Sequence, residues 1–218
     1  TLDRQRFRDI TRFDSLDAVL DGIGRAAEAG FDSLKIDTVV MRGVNDDELS
    51  ALIEYGRPLG AEVRFIEYMD VGGATRWSRD SVVSRREILE ALGNYYGTIT
   101  PVDEVSSAPA DRFALPDGTI FGIISSTTEP FCDTCDRSRL TADGVWLMCL
   151  YASAGTDLRR PLRAGATPDE LRHVIATVWA LRADRGAEER AATATREPLI
   201  PVSALKKDAH LEMHTRGR

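Results

Sequence analysis

A strand–helix–strand pattern in the first third of the sequence constrains the fold most strongly. Residues 33–41, SLKIDTVVM, are rich in β-branched side chains and predict a buried strand, and residues 62–69, EVRFIEYM, predict a second strand. Between them, apolar side chains at helical spacing predict a helix over about 46–58. Two successive strands joined by a helix pair in parallel, so this stretch predicts an α/β fold with a parallel sheet.

The rest of the chain predicts further helices and a change to antiparallel strands. Helices are expected over 14–30, from the capping pair Ser84 and Glu87 to about 94, and from the capping pair Thr167 and Glu170 to about 185. Short antiparallel strands separated by turn residues are expected within 98–104, 111–127 and 137–151.

These patterns divide the chain into two parts. Residues 1–70 are predicted to be α/β with parallel strands, and residues 71–218 to be mixed, partly antiparallel, with all the cysteines. Two strands are too few for a complete parallel sheet, which is normally covered on both faces. We therefore expect the chain, which begins at Thr1, to be part of a longer protein.

The composition excludes several classes of function. The net charge of −7 argues against general nucleic-acid binding, although a local cluster of basic side chains can still bind a small anion. No apolar run approaches the roughly 20 residues that a membrane helix needs. The charged start, TLDRQRFRDITRFD, is unlike a signal peptide, so a cytoplasmic protein is expected.

All three cysteines lie in one stretch, FCDTCDRSRLTADGVWLMCLY, at residues 131–151. Cys132 and Cys135 form a C-x2-C pair, and a predicted turn brings Cys149 back towards them. An odd number of cysteines without a secretory signal favours a metal or redox site over disulfides. Three unrelated core cysteines are the alternative, since a free cysteine is a common core residue.

Two kinds of metal site remain. Zinc needs a fourth ligand, and none of the candidate histidines has a zinc-finger spacing: His173, His210 and His214. A 4Fe–4S cluster is held by one thiolate per iron, so three cysteines would leave one iron open for a substrate atom. The cluster fits the cysteine count better, although the spacing alone does not prove it.

Two arginines follow the C-x2-C pair directly. Arg137 and Arg139 alternate on a predicted strand, so both side chains are expected on one face beside the cysteines. Guanidinium groups bind phosphate in a bidentate manner. A solvated or salt-bridged pair is the ordinary alternative, but the neighbouring cysteines favour an anionic ligand.

These residues resemble a known family. FCDTCDRSRLTADGVWLMCL is similar to the cluster motif of the molybdenum-cofactor GTP 3′,8-cyclases, which are radical SAM enzymes. RFRDITRFDSLDAVLDGI, LKIDTVVMRGVNDDEL and VRFIEYMDVGG resemble other stretches of that family in the same order, so the resemblance covers nearly the whole chain. Asp136 replaces the usual Asn inside the motif, and little effect is expected because it is not a ligand.

The resemblance implies a fold and a reaction. The fold would be the C-terminal part of an incomplete (β/α)6 radical SAM barrel, followed by a mixed α+β domain that carries an auxiliary 4Fe–4S cluster. The reaction would convert GTP to (8S)-3′,8-cyclo-7,8-dihydroguanosine 5′-triphosphate, using a radical made from S-adenosylmethionine at a second 4Fe–4S cluster. Implied partners are GTP, S-adenosylmethionine, a downstream cyclic pyranopterin monophosphate synthase and a second copy of the chain in a homodimer.

The resemblance also implies roles for individual residues, while the catalytic residues stay unknown. The ligands of the auxiliary cluster would be Cys132, Cys135 and Cys149. The residues that contact GTP would be Lys35, Arg64, Arg137, Ser138 and Arg139, and Met69 would line the S-adenosylmethionine site. Lys35 lies in a strand predicted to be buried, where a lysine needs a partner such as a triphosphate.

The chain departs from the family at two places. It lacks the C-x3-C-x2-C motif of the first cluster, so we expect a C-terminal fragment that does not cleave S-adenosylmethionine by itself. The family usually ends in Gly-Gly, whereas this chain ends Gly217-Arg218, and we expect Arg218 to impair turnover. The alternatives are another radical SAM enzyme with an auxiliary cluster, or a non-catalytic metal-binding module.

Overall fold

A computed structural model describes residues 1–71, 77–103, 107–193 and 199–207. These residues form two compact units. Unit 1 contains residues 1–68 and 79–129, and unit 2 contains residues 69–78 and 130–218. In the described ranges, no helix has the length and apolarity needed to cross a membrane. The division of the chain at about residue 70 and the six-stranded barrel stay predictions. Arg218 lies outside the described residues, so its expected effect on turnover also stays a prediction.

Unit 1 is a mixed five-stranded sheet with helices packed on it. Its helices are α1 (Arg4–Thr11), α2 (Leu16–Glu28), α3 (Leu49–Gly56) and α4 (Arg85–Tyr96). Its strands are β1 (Leu34–Val40), β2 (Ala61–Glu67), β3 (Thr100–Pro101), β4 (Asp111–Ala114) and β5 (Ile120–Ile124). The strand order is β1-β2-β5-β4-β3, and β1 pairs with β2 in parallel, so the predicted strand–helix–strand unit is confirmed.

The strand β5 joins the parallel and antiparallel halves of this sheet. It pairs antiparallel with β4, as the predicted hairpin requires, and parallel with β2 on its other edge. The sequence did not predict the second pairing, in which Val63 lies opposite Phe121. A hairpin is specified by a local turn, whereas a partner far away in the chain is selected by packing of the core.

One face of the sheet in unit 1 carries the core. Phe65, Phe121 and Ile123 are fully buried there beside Ile53 of α3 and Leu92 of α4. Large apolar side chains of this kind each contribute roughly 1.5–3 kcal/mol when they leave water. The core therefore specifies which face of each strand points inward.

The opposite face of β1 is open, which corrects one prediction. The stretch 33–41 was predicted to be buried, but Lys35, Asp37 and Val39 are exposed. Within the described residues β1 has only β2 as a neighbour, and side chains alternate between the two faces of a strand. Half of its side chains therefore point away from the core.

Unit 2 is built on a small antiparallel sheet. Its strands are β6 (Arg139–Leu140), β7 (Val145–Leu147) and β8 (Thr156–Asp157), and its helices are α5 (Arg159–Arg163), α6 (Pro168–Ala180), α7 (Gly186–Ala192) and α8 (Val202–Leu205). The β6–β7 hairpin turns at Gly144, whose φ of 87° suits glycine. The predicted capping boxes of α4 and α6 are both confirmed. The sequence did not predict β8, α7 or α8.

Candidate functional site

The three cysteines all lie in unit 2, half-buried and free of disulfides. Cys132 is the first residue of a 3-10 turn, and its carbonyl accepts the N–H of Cys135 at 3.3 Å. Cys149 follows the end of β7, the second strand of the hairpin. The short turn therefore orients Cys132 and Cys135, and the β6–β7 hairpin brings the chain back so that Cys149 lies in the same unit.

Two guanidinium groups contact Cys135. Arg137 donates to the Cys135 Sγ at 3.3 Å, and Arg182 donates to the same sulfur at 3.5 Å and to the Cys135 carbonyl at 2.8 Å. Burial alone raises the pKa of this thiol, but the hydrogen bonds from Arg137 and Arg182 outweigh it and lower the pKa. The surroundings of Cys135 therefore favour its thiolate, which is the form that binds metal.

The other two cysteines, Cys132 and Cys149, lie near backbone of α7 and Tyr151. Burial raises the pKa of Cys132, and hydrogen bonds from the backbone of Glu188 and Ala187 partly oppose that rise. The Cys149 Sγ accepts the N–H of Tyr151 at 3.5 Å. A Cβ added at Gly186 would lie 2.9 Å from the same sulfur. The start of α7 thus lies against both cysteines.

The donor set fits an iron–sulfur cluster. The sulfurs of Cys135 and Cys149 each accept at least one N–H hydrogen bond, which is how proteins stabilise thiolate ligands and adjust cluster potentials. In the described ranges, no three His, Cys, Asp or Glu side chains are arranged around a single metal ion. His173 is exposed on α6, and the other two histidines lie outside the described residues.

Arg137 and Arg139 both lie beside the cysteines, although not through the predicted alternation on one strand. β6 begins only at Arg139, and the Arg137 guanidinium instead stacks 4.8 Å from the centroid of the Phe131 ring. Burial lowers the pKa of Arg139, repulsion from Arg137 adds to this, and attraction by Cys149 and Cys135 opposes it. Among the residues that the structure describes, neither arginine has a carboxylate partner. Ser138 is exposed between them.

The predicted site residues of unit 1, Lys35 and Arg64, lie on the same face of the sheet, where Lys35 is exposed and Arg64 is largely covered. Lys35 lies opposite Glu62 and Asp37 opposite Arg64 in the β1–β2 register, so Lys35 and Arg64 point to the same side. The Glu62 carboxylate accepts from Arg64 at 2.7 Å and from Arg112 at 3.0 Å. Lys35 is exposed, so the premise that it is a buried lysine is wrong.

Sequence reasoning missed Arg182 and Gly186. Both belong to the stretch from the end of α6 to the start of α7, where no motif marked them. They line a cavity of about 720 Å³ together with Cys149 and Tyr151. The cavity size is within the usual range of small-molecule sites. Met69, predicted to line the S-adenosylmethionine site, is half-buried at the first position of unit 2.

Comparison with known proteins places the chain among relatives of one kind. The family model described as Molybdenum Cofactor Synthesis C matches residues 61–188. The protein named GTP 3′,8-cyclase 1 of Mycobacterium tuberculosis (strain ATCC 25618 / H37Rv) is 59% identical over 217 residues. GTP 3′,8-cyclase 3 of Mycobacterium bovis is 57% identical over 217 residues, and GTP 3′,8-cyclase of Synechococcus sp. (strain CC9902) is 41% identical over 180.

Each match covers a larger share of this chain than of the relative. They include 100% of this chain for both mycobacterial proteins and 80% for the cyanobacterial one. The chain spans only 60%, 57% and 52% of the length of those three relatives, respectively.

Proposed function

The chain belongs to the Molybdenum Cofactor Synthesis C family, and from this we propose that it acts as the cluster- and substrate-binding part of a GTP 3′,8-cyclase. In this proposal Cys132, Cys135 and Cys149 hold an auxiliary 4Fe–4S cluster. Arg137, Ser138 and Arg139 bind GTP beside it. The product would be (8S)-3′,8-cyclo-7,8-dihydroguanosine 5′-triphosphate, the first intermediate on the route to molybdopterin.

One observation carries the proposal. Three free cysteines lie within one unit, with N–H donors on the sulfurs of Cys135 and Cys149 and two arginines beside them that have no carboxylate partner in the described ranges. Within the described residues only the cysteine sulfurs offset the charge of these two half-buried guanidinium groups, and their burial is costly unless an anion adds further negative charge. A triphosphate provides that charge and accepts their planar pairs of donors.

The protein's own residues would bind and orient the substrate. When bound, a 4Fe–4S cluster with three protein thiolates supplies one iron with an open position for an atom of the guanine ring. Arg139 and Arg137 would hold the phosphates, and Ser138 offers a hydroxyl between them. Positioning of this kind lowers a barrier by pre-paying the entropy of alignment.

Three further assignments belong to the same proposal. Lys35 and Arg64 are also assigned to GTP, which requires Arg64 to share its guanidinium between Glu62 and the nucleotide. Met69 would line the site of S-adenosylmethionine, whose cleavage needs a second cluster. A cytoplasmic homodimer that passes its product to a cyclic pyranopterin monophosphate synthase completes the proposal.

Metal reconstitution tests the cluster assignment. The protein is incubated anaerobically with iron and sulfide, desalted and analysed for iron, sulfide and zinc. About four irons per auxiliary site, with the charge-transfer absorption of an iron–sulfur protein, are expected. The variant Cys149→Ser should lose most of this iron. A single zinc, or no metal, would refute the cluster and favour a different metal-binding module.

Calorimetric titration with GTP tests the nucleotide assignment. Replacement Arg139→Ala should weaken GTP binding roughly 10- to 100-fold, because a hydrogen bond to a charged group contributes about 1.5–3 kcal/mol. The matched control is Arg163→Ala, which removes the same charge from an exposed position on α5 of the same unit. Equal losses in the two variants would mean that only net charge matters and would contradict a specific contact.

A further inference from the structure

Asp70 is a fully buried carboxylate in unit 2. Its side chain is 0% exposed, and no cysteine or predicted site residue explains its burial. Arg190 of α7 donates to the Asp70 Oδ2 through Nε, at 2.9 Å, and through Nη2. The Tyr151 hydroxyl donates to the Asp70 Oδ1 at 3.2 Å. Asp70 therefore binds one side chain from a helix and another from the segment after the third cysteine.

The energetics of this contact make it rigid. A buried charge is tolerated only when a counter-charge and further hydrogen bonds satisfy it, and removing one partner is strongly destabilising. Nε and Nη2 of Arg190 both donate to Oδ2, a two-donor contact that the point charge of a lysine could not reproduce. The group therefore holds α7 and Tyr151 in one relative position.

Both partners of Asp70 lead directly to the cysteines. Tyr151 donates its backbone N–H to the Cys149 Sγ at 3.5 Å. Arg190 lies on α7, whose first residue, Gly186, lies next to Cys149 and which packs against the turn that begins at Cys132. Asp70 thus orients the N–H donor of Cys149 and the helix that packs against the turn of Cys132, without contacting either sulfur itself.

We propose that Asp70 is a positioning residue for the auxiliary cluster, acting through Arg190 and Tyr151 on the surroundings of Cys132 and Cys149. This inference rests on the proposed function, because it requires a cluster on these cysteines. It adds a role for a carboxylate next in sequence to Met69, and it predicts that the reduction potential and the iron retention of the cluster both depend on Asp70.

The variant Asp70→Asn tests the proposal in the anaerobically reconstituted protein. It preserves shape and an acceptor for Tyr151 but removes the charge that holds Arg190. Iron release to a chelator should become about tenfold faster, since breaking a buried ion pair costs more than the free energy that corresponds to a factor of ten. The midpoint potential, followed by electron paramagnetic resonance, should rise because a nearby negative charge has been removed.

Two further variants separate charge from position. Arg190→Lys keeps the charge and loses the fork, so iron release should accelerate while the potential changes little. Tyr151→Phe perturbs the fold least and should accelerate iron release by a smaller factor, which keeps the test valid if Asp70→Asn fails to fold. The matched control, Asp169→Asn, breaks an exposed Asp–Arg pair on α6 of the same unit and should behave as wild type.

The outcomes distinguish this inference from the proposed function. If the wild-type protein takes up no cluster, the proposed function fails and this inference fails with it. If the wild type binds its cluster and Asp70→Asn matches it in potential and in iron release, the proposed function stands and only the role of Asp70 is refuted.

Discussion

At the scale of single residues, the surroundings of the cysteines depend on the close approach of Gly186 to Cys149 and on Arg182, which the sequence did not mark. Gly186 passes so close to the third cysteine that a methyl group would meet the Cys149 Sγ at 2.9 Å and the Tyr151 Cβ at 2.7 Å. Arg182 contacts both the sulfur and the carbonyl of Cys135. Each of these contacts leads to a prediction that does not depend on turnover.

Replacement Gly186→Ala should destabilise unit 2 by about 1–3 kcal/mol and lower its iron retention, because the new Cβ overpacks the start of α7. Urea unfolding and iron analysis measure both effects. Gly24→Ala is the control: a Cβ there meets nothing within 4 Å, so helix propensity should stabilise α2 of unit 1 by about 0.5–1 kcal/mol. Unchanged iron retention in Gly186→Ala would show that the neighbouring cysteine can shift freely.

Replacement Arg182→Gln should lower the midpoint potential of the bound cluster. Arg182 places a positive charge and two donors at Cys135, and such groups stabilise the reduced, more negative form of a cluster. The replacement removes them, so reduction of the cluster becomes less favourable. A redox titration followed by electron paramagnetic resonance measures the shift. Arg172→Gln serves as the control, since Arg172 is 73% exposed on α6. A potential that rises or stays constant in Arg182→Gln would contradict this role.

At the scale of elements, the capping box of α4 makes the stability of unit 1 depend on pH. Hydrogen bonds from the Ser84 side chain and backbone lower the pKa of Glu87 from 4.5 to about 2, with Arg42 contributing, and together they outweigh the effect of burial. The pKa is lower in the folded state than in the unfolded chain. The ionised carboxylate therefore stabilises the fold fully above about pH 4.5, and this contribution disappears as the pH falls towards about 2.

Replacement Glu87→Gln should therefore reduce the loss of stability between about pH 4.5 and 2. Urea midpoints of unit 1, measured at a series of pH values, test this expectation. Glu90→Gln changes an exposed carboxylate on the same helix and should retain the wild-type pH dependence. If the two variants have the same pH profile, Glu87 is not the group responsible.

At the scale of the whole molecule, the two units differ in how much core they have. Unit 1 has a cluster of thirteen buried apolar residues. Buried apolar residues in unit 2 are few, and within the described residues they are Val71, Trp77, Trp146, Leu147 and Ile200. A unit with a small core commonly depends on a bound metal centre for its stability.

Removal of the cluster should therefore destabilise unit 2 selectively. All three tryptophans, Trp77, Trp146 and Trp179, lie in unit 2, so tryptophan fluorescence reports its unfolding. Treatment with a chelator should lower that midpoint by more than about 5 °C, since each kcal/mol shifts a domain of this size by about 4–8 °C. The transition of unit 1, followed by calorimetry, should not move. A fluorescence midpoint that is independent of iron would contradict the prediction.

The sequence by itself determined what is local in the chain. The parallel β1–β2 pair, the β4–β5 and β6–β7 hairpins and both capping boxes follow from periodicity and from residues a few positions apart. The candidate site was marked by the same kind of signal, because its three cysteines and two arginines all lie within 131–151.

Only the tertiary structure decided the contacts between distant segments. It placed β5 beside β2, left Lys35 on an open face, and brought Arg182 to Cys135 and Arg190 to Asp70. Asp70 and Arg190 are separated by 120 positions, and no periodicity or turn signal links residues that far apart. Their pairing is selected by the free energy of burying the whole unit, in which a buried carboxylate must find a cation.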